Sequence, residues 1–156
     1  MESTIHETAS GDNPVQNVSN GVAAMASANG NRSTKPKRII YVDDNAPLGD
    51  LLVQHLVLAG HSAIHAADGI IAWEHISKDM GYFDLVITDN EMPELNGLEL
   101  VELLREANYG GRIIVYSSAL HDRDIEKYRA LKVDAIVAKG TDVSVLLAAV
   151  RALDRD

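Results

Sequence analysis

Leu85-Val86-Ile87-Thr88-Asp89-Asn90-Glu91-Met92-Pro93-Glu94-Leu95-Asn96-Gly97 is the stretch from which the fold can be read. Its apolar and β-branched opening, ended by a carboxylate and a turn-rich loop at 90–96, describes a strand buried on both faces. Ile39-Ile40-Tyr41-Val42 gives the same signal earlier and stops at Asp43-Asp44. Pro47 suits the first turn of a following helix. Leu48, Leu51, Leu52, Leu56 and Ala59 then recur at helical spacing, with Gly60 as a stop. Ser62–Ala66 reads as a weaker strand, and residues 70–77 as a helix carrying the only tryptophan, Trp73. Beyond the quoted stretch, Leu98, Val101 and Leu104 mark a helix, residues 113–116 a strand ending at Ser117-Ser118, and residues 124–131 a polar helix. Ala135–Ala138 is the last strand and ends at Lys139; Val143, Leu146, Leu147, Val150 and Leu153 line a closing helix. Five strands alternating with five helices predict an α/β, doubly wound parallel sheet with helices on both faces.

Composition narrows the function. At 156 residues there is room for one ordinary domain. Residues 1–34 are rich in Asn, Ser, Gly and Ala and lack aromatics, so they cannot offset their ordering entropy by burial. A disordered tail is expected over 1–37, with Lys35, Lys37 and Arg38 as a solvated lead-in, and a folded domain over 38–154. The net charge of −9 argues against direct nucleic-acid binding and against adhesion to an anionic membrane. No run of about eighteen apolar residues is present, and residues 22–28 are too short for a signal peptide. A cytoplasmic location is the expected default. With no cysteine, thiol catalysis and thiolate metal sites are excluded.

The chemistry follows from where the strands end. Strand one runs into Asp43-Asp44, strand three into Asp89, strand four into Ser117 and strand five into Lys139. In an open parallel sheet, sites form at the carboxyl ends of the strands, where strand order reverses. With the order 2-1-3-4-5, strands one and three are neighbours there, and three carboxylates, a hydroxyl and an ammonium meet. Carboxylates so close repel one another unless a cation intervenes, and Mg2+ (or Mn2+) is the hard ion that binds one or two carboxylates plus a phosphate. One carboxylate could then attack a phosphoryl donor while lysine offsets the charge. Each piece alone has a plain reading as a cap, a turn or a surface residue; the conjunction on four strands does not.

The same residues resemble the response regulator receiver domain of two-component systems, of the single-domain chemotaxis kind. The resemblance runs from Arg38 to about Leu153, and residues 85–97 look like that family's phosphoacceptor loop. It implies the flavodoxin-like receiver fold, Asp89 as phosphoacceptor, and Asp44 and Asp43 as metal ligands, Asp43 mostly through water. It also implies the main-chain carbonyl of Glu91 as a further ligand, Ser117 as switch hydroxyl and Lys139 as phosphoryl partner. The implied partners are a sensor histidine kinase or histidine phosphotransferase and a downstream protein target. The face between the fourth and fifth helices is the implied output surface, where a homodimer could also form.

Two positions depart from the pattern. Gly140 stands where the family usually has a cis proline, and Ile136 where many members carry a Tyr or Phe that follows phosphorylation. An aliphatic side chain cannot make that aromatic swing, so the usual relay from hydroxyl to output face is not expected. A stand-alone receiver, not itself an enzyme, is expected, signalling by protein contact or acting as a phosphate sink. The alternatives are a phosphorylation-independent scaffold and a Mg2+-dependent aspartyl-phosphate phosphatase; the latter is disfavoured because no substrate cap is expected. His61 and His65 share a strand face but lack a third ligand, so a histidine metal site is not expected.

Overall fold

The computed structural model describes residues 34–140 and 142–155. Of the tail expected over 1–37, residues 1–33 lie outside the described residues. The strands are β1 (Arg38–Val42), β2 (Ser62–Ala66), β3 (Leu85–Thr88), β4 (Arg112–Ser117) and β5 (Ala135–Ala138). They alternate with α1 (Ala46–Leu58), α2 (Gly69–Lys78), α3 (Gly97–Glu106), α4 (Asp122–Ala130) and α5 (Val143–Ala152), and a short 3-10 turn (Leu153–Arg155) closes the chain. All strand pairs are parallel, and the order is β2-β1-β3-β4-β5, as the sequence predicts.

Alternation along each strand divides the core between two faces. Ile40, Val42, Val86, Ile113 and Val115 pack with Ala72 and Ile76 of α2, Leu100 and Leu104 of α3, and Tyr128 of α4. Ile39, Tyr41, Leu85, Ile87, Ile114 and Tyr116 pack with Leu52 and Leu56 of α1 and Leu146 and Val150 of α5. Each fully buried Leu or Ile contributes on the order of 2 kcal/mol. Trp73 packs at the edge of the first cluster, and His55 is half-buried on α1.

Polar side chains cap four of the helices, satisfying their first amide groups. Asn45 accepts from the Leu48 amide (3.2 Å), Asp68 from Ile71 (2.8 Å) and Asp142 from Ser144 (2.9 Å). Asn96 and Glu99 form a reciprocal capping box on α3. Helix α4 begins at His121 without a side-chain cap, and Tyr128 is its only buried residue. It begins two residues earlier than the apolar pattern indicated, because its first turn is acidic and carries no apolar signal.

The basic lead-in differs from its expected solvated form, and ordered structure begins before residue 38. Lys37 is buried, and its ammonium pairs with the Asp154 carboxylate. The Lys35 amide donates to the same carboxylate (3.2 Å), and the Lys37 amide donates to His61 Nδ1 (3.1 Å). Arg38 pairs with Asp84 and stacks 4.6 Å over the Tyr82 ring. Partners this distant in the chain leave no periodic trace.

His61 lies just before β2, so it does not share a strand with His65. Burial first, and then the Lys37 charge, lower its pKa, with Asp154 opposing. The folded state therefore binds fewer protons than the unfolded state just below about pH 6.5. The stability linked to this group is present above that value and is lost as pH falls through it. We expect denaturation midpoints to show stability from this group falling as pH drops from about 7.5 through about 6.5. His61→Asn, which keeps an acceptor but cannot titrate, should remove that part of the slope; an unchanged slope would contradict the assignment.

Candidate functional site

The carboxyl ends of β1, β3, β4 and β5 open into one cleft of about 670 Å³. Helices α1 and α3 leave β1 and β3 toward opposite faces, and a crevice opens at such a reversal. The Asp89 amide donates to the Val42 carbonyl (2.9 Å) and the Asp43 amide to Ala66 (3.1 Å), which sets the two aspartates side by side. The loop after Asp89 folds back tightly: the Gly97 amide donates to the Asn90 carbonyl (2.9 Å). A Cβ at position 97 would lie 2.1 Å from the Asp89 carbonyl oxygen, so only glycine allows that approach.

Lys139 is the centre of the site's electrostatics. Its Nζ lies 2.6 Å from Asp43 Oδ2 and 2.8 Å from Asp89 Oδ2. The Tyr41 hydroxyl donates to Asp43 Oδ2 (2.6 Å), and the Asn45 amide donates to Oδ1 (2.9 Å). Burial alone would raise the Asp43 pKa, but these hydrogen bonds, from Lys139, Tyr41 and Asn45, and the lysine charge outweigh it and lower it. Burial likewise opposes the charge on Lys139, yet its bonds to Asp43 and Asp89 raise its pKa. Tyr41 is pushed up by burial and by its bond to Asp43, so it remains a donor. The Lys139 ammonium also sits 5.9 Å from the centre of the Tyr116 ring, within cation–π range.

Carboxylate oxygens of Asp43, Asp44 and Asp89 lie within 4.8 Å of one another. Asp43 and Asp89 are buried, while Asp44 is exposed on the cleft. Glu91 lines the same cleft with an exposed side chain. An all-oxygen donor set whose charge exceeds that of the one lysine fits a hard divalent cation such as Mg2+.

The five positions marked by strand ends (43, 44, 89, 117 and 139) therefore line one cleft, together with Glu91. Ser117 is buried at the end of β4, and its carbonyl accepts from the Lys139 amide (3.0 Å). Ser118 lines the cleft as well, exposed. Gly140 adopts φ +89°, which a proline ring cannot reach. Ile136 is half-buried against the α2–α4 face. Three contributors escaped the sequence reading. Tyr41 was taken only as strand core, although its spacing of two from Asp43 puts both on one side of the chain. His65 Nε2 lies 2.7 Å from the Asp43 carbonyl oxygen, pairing with the backbone. Asn90 accepts from the Tyr128 hydroxyl (2.6 Å), a contact between elements far apart in sequence.

The family model for the response regulator receiver domain matches residues 39–151, and the chain belongs to that family, the receivers of two-component systems. The sensor protein EvgS of Escherichia coli K12 is 36% identical over 97 residues, 61% of this chain and 8% of that protein. The probable transcriptional regulatory protein SilR of Salmonella typhimurium is 30% identical over 118 residues, 76% of this chain and 51% of that one. The chain thus spans about half the length of the curated regulators it matches, and much less of the sensor. Among solved structures, the response regulator TrrA of Thermotoga maritima, in complex with Mg2+-BeF, is 32% identical. That likeness covers 75% of this chain and 98% of TrrA, at a TM-score of 0.67. A CheY-like receiver domain protein of Methanospirillum hungatei, 24% identical with a TM-score of 0.71 over 76% of this chain and 94% of that one, shares the fold.

If Lys139 offsets carboxylate repulsion, Lys139→Met should lower folding stability by about 2 kcal/mol, and saturating Mg2+ should recover most of that loss in urea denaturation. A loss that Mg2+ leaves untouched would mean that the lysine serves packing alone.

Proposed function

We propose that this receiver domain accepts a phosphoryl group on Asp89 from a phosphohistidine of a sensor kinase or histidine phosphotransferase. The observation that carries this reading is Lys139 bridging Asp43 and Asp89 at 2.6 and 2.8 Å beside the exposed Asp44 carboxylate. In the transfer, the Asp89 carboxylate forms an O–P bond as the histidine N–P bond breaks, and the leaving imidazole takes a proton from water. Lys139 exchanges a carboxylate oxygen for a phosphoryl oxygen, keeping its charge compensated. Ser117 is positioned to donate to the group once formed. Asp43, Asp44, Asp89 and the Glu91 carbonyl would hold Mg2+ (or Mn2+), which supplies further charge neutralisation for the phosphoryl oxygens.

Output is a protein contact, with the face between α4 and α5 as the candidate surface for a target or a second copy. Val145 of α5 is 46% exposed and adds apolar area to that helix. No helix among the described residues is long and apolar enough to cross a membrane, and we assign the protein to the cytoplasm. Binding without phosphorylation is the second reading. It rests on the glycine backbone at 140, which replaces a rigid residue beside Lys139.

Incubation with Mg2+ and a small acyl-phosphate donor, followed by intact mass, is expected to show a gain of one phosphoryl group. Asp89→Asn should abolish the gain. A wild type that gains nothing would favour the second reading, and continuous hydrolysis of unrelated phosphoesters would make the protein a phosphatase.

A further inference from the structure

Helix α4 is the most polar of the five, its start has no side-chain cap, and Tyr128 is its only buried residue. The attachment of α4 to the core therefore depends heavily on one side chain. Tyr128 is 0% exposed and belongs to an otherwise apolar cluster with Val86, Leu100 and Ile113. A phenol in such surroundings needs a partner for its hydroxyl, or it forfeits the water it gave up.

The partner it finds is functional ground. The Tyr128 hydroxyl donates to Asn90 Oδ1 at 2.6 Å. The Asn90 amide in turn donates to Asp89 Oδ1 at 2.7 Å. The same hydroxyl would be 2.8 Å from a Cβ at Gly97, so phenol, loop and start of α3 are packed without slack. Two hydrogen bonds and one covalent residue thus join the Asp89 carboxylate to the interior of α4.

We propose that Tyr128 is a positioning residue for Asp89, acting through Asn90, and that this linkage carries the state of Asp89 to α4. It rests on the proposed phosphorylation of Asp89. Phosphorylation of the carboxylate alters what Oδ1 can accept, the Asn90 amide moves or weakens its bond, and the Asn90 side chain shifts under the phenol. Because α4 has no second buried anchor, a shift at the hydroxyl is not absorbed elsewhere in the helix. This supplies the relay that Ile136, with no polar tip, cannot provide. Coupling is reciprocal by linkage: a partner that fixes α4 alters the phosphorylation kinetics of Asp89.

The test uses the full chain, saturating Mg2+ and a saturating acyl-phosphate donor, with intact mass read over time. Tyr128→Phe keeps the ring and removes the donor; Asn90→Ala removes the acceptor. Each should change the rate constant for gaining or losing the phosphoryl group by about threefold or more, and the double variant by no more than either alone. Amide hydrogen exchange in α4 should change on phosphorylation of wild type and not of Tyr128→Phe. If Tyr128→Phe matches wild type in both rates, if the two effects multiply, or if α4 exchange responds equally in both proteins, the inference fails while Asp89 remains the acceptor. A wild type that takes up no phosphoryl group overturns the proposed function and this inference together.

Discussion

One ammonium between two carboxylates organises this molecule. Lys139 approaches Asp43 and Asp89 from β5, across β4, and holds two buried acids that would otherwise repel each other across the end of the sheet. Asp43 is kept ionised by donors from Lys139 itself, Tyr41 and Asn45, so its negative charge stays available at the cleft. The arrangement has one cation too few for its acids, and Asp44 adds a third carboxylate with no protein partner among the described residues. A site built this way has the oxygen donors and surplus negative charge that a hard divalent cation takes.

The fold serves that arrangement by geometry. Parallel pairing puts every strand's carboxyl end on the same rim, and the 2-1-3-4-5 order sets β1 beside β3, so Asp43 and Asp89 become neighbours across a ladder hydrogen bond. The two packed faces keep the rim rigid, with branched aliphatic side chains where a more aromatic protein would use rings. Three buried tyrosines carry polar tips to particular places: Tyr41 to Asp43, Tyr128 to Asn90, and Tyr109 to the Phe83 carbonyl. Each is a buried phenol whose hydroxyl fixes one point of backbone or site.

The fold was legible because buried parallel strands write themselves as short apolar runs, and because each of four runs stopped at a reactive residue type. The positions of Asp43, Asp44, Asp89, Ser117 and Lys139 could be read from those endings alone. What could not be read were contacts joining distant segments with no periodicity to announce them. Lys37 looked like a solvated charge because its partner, Asp154, lies at the other end of the chain. Tyr128 lies on a polar helix, and nothing in its sequence neighbourhood points to Asn90. Tyr41 was the nearest miss: the two-residue strand period aligned it with Asp43, but its hydroxyl was passed over in favour of its bulk.

The account stands on the claim that residues from four strand ends serve a single phosphoryl and cation site. The most direct measurement is a crystal structure of the full chain grown with Mg2+ and beryllofluoride. The account predicts beryllofluoride bonded to the Asp89 carboxylate, with Lys139 turned to it and the cation held by Asp43, Asp44 and Asp89. Beryllofluoride seated on any other residue, or a cleft that keeps Lys139 on Asp43 and Asp89 and takes up neither species, would contradict it.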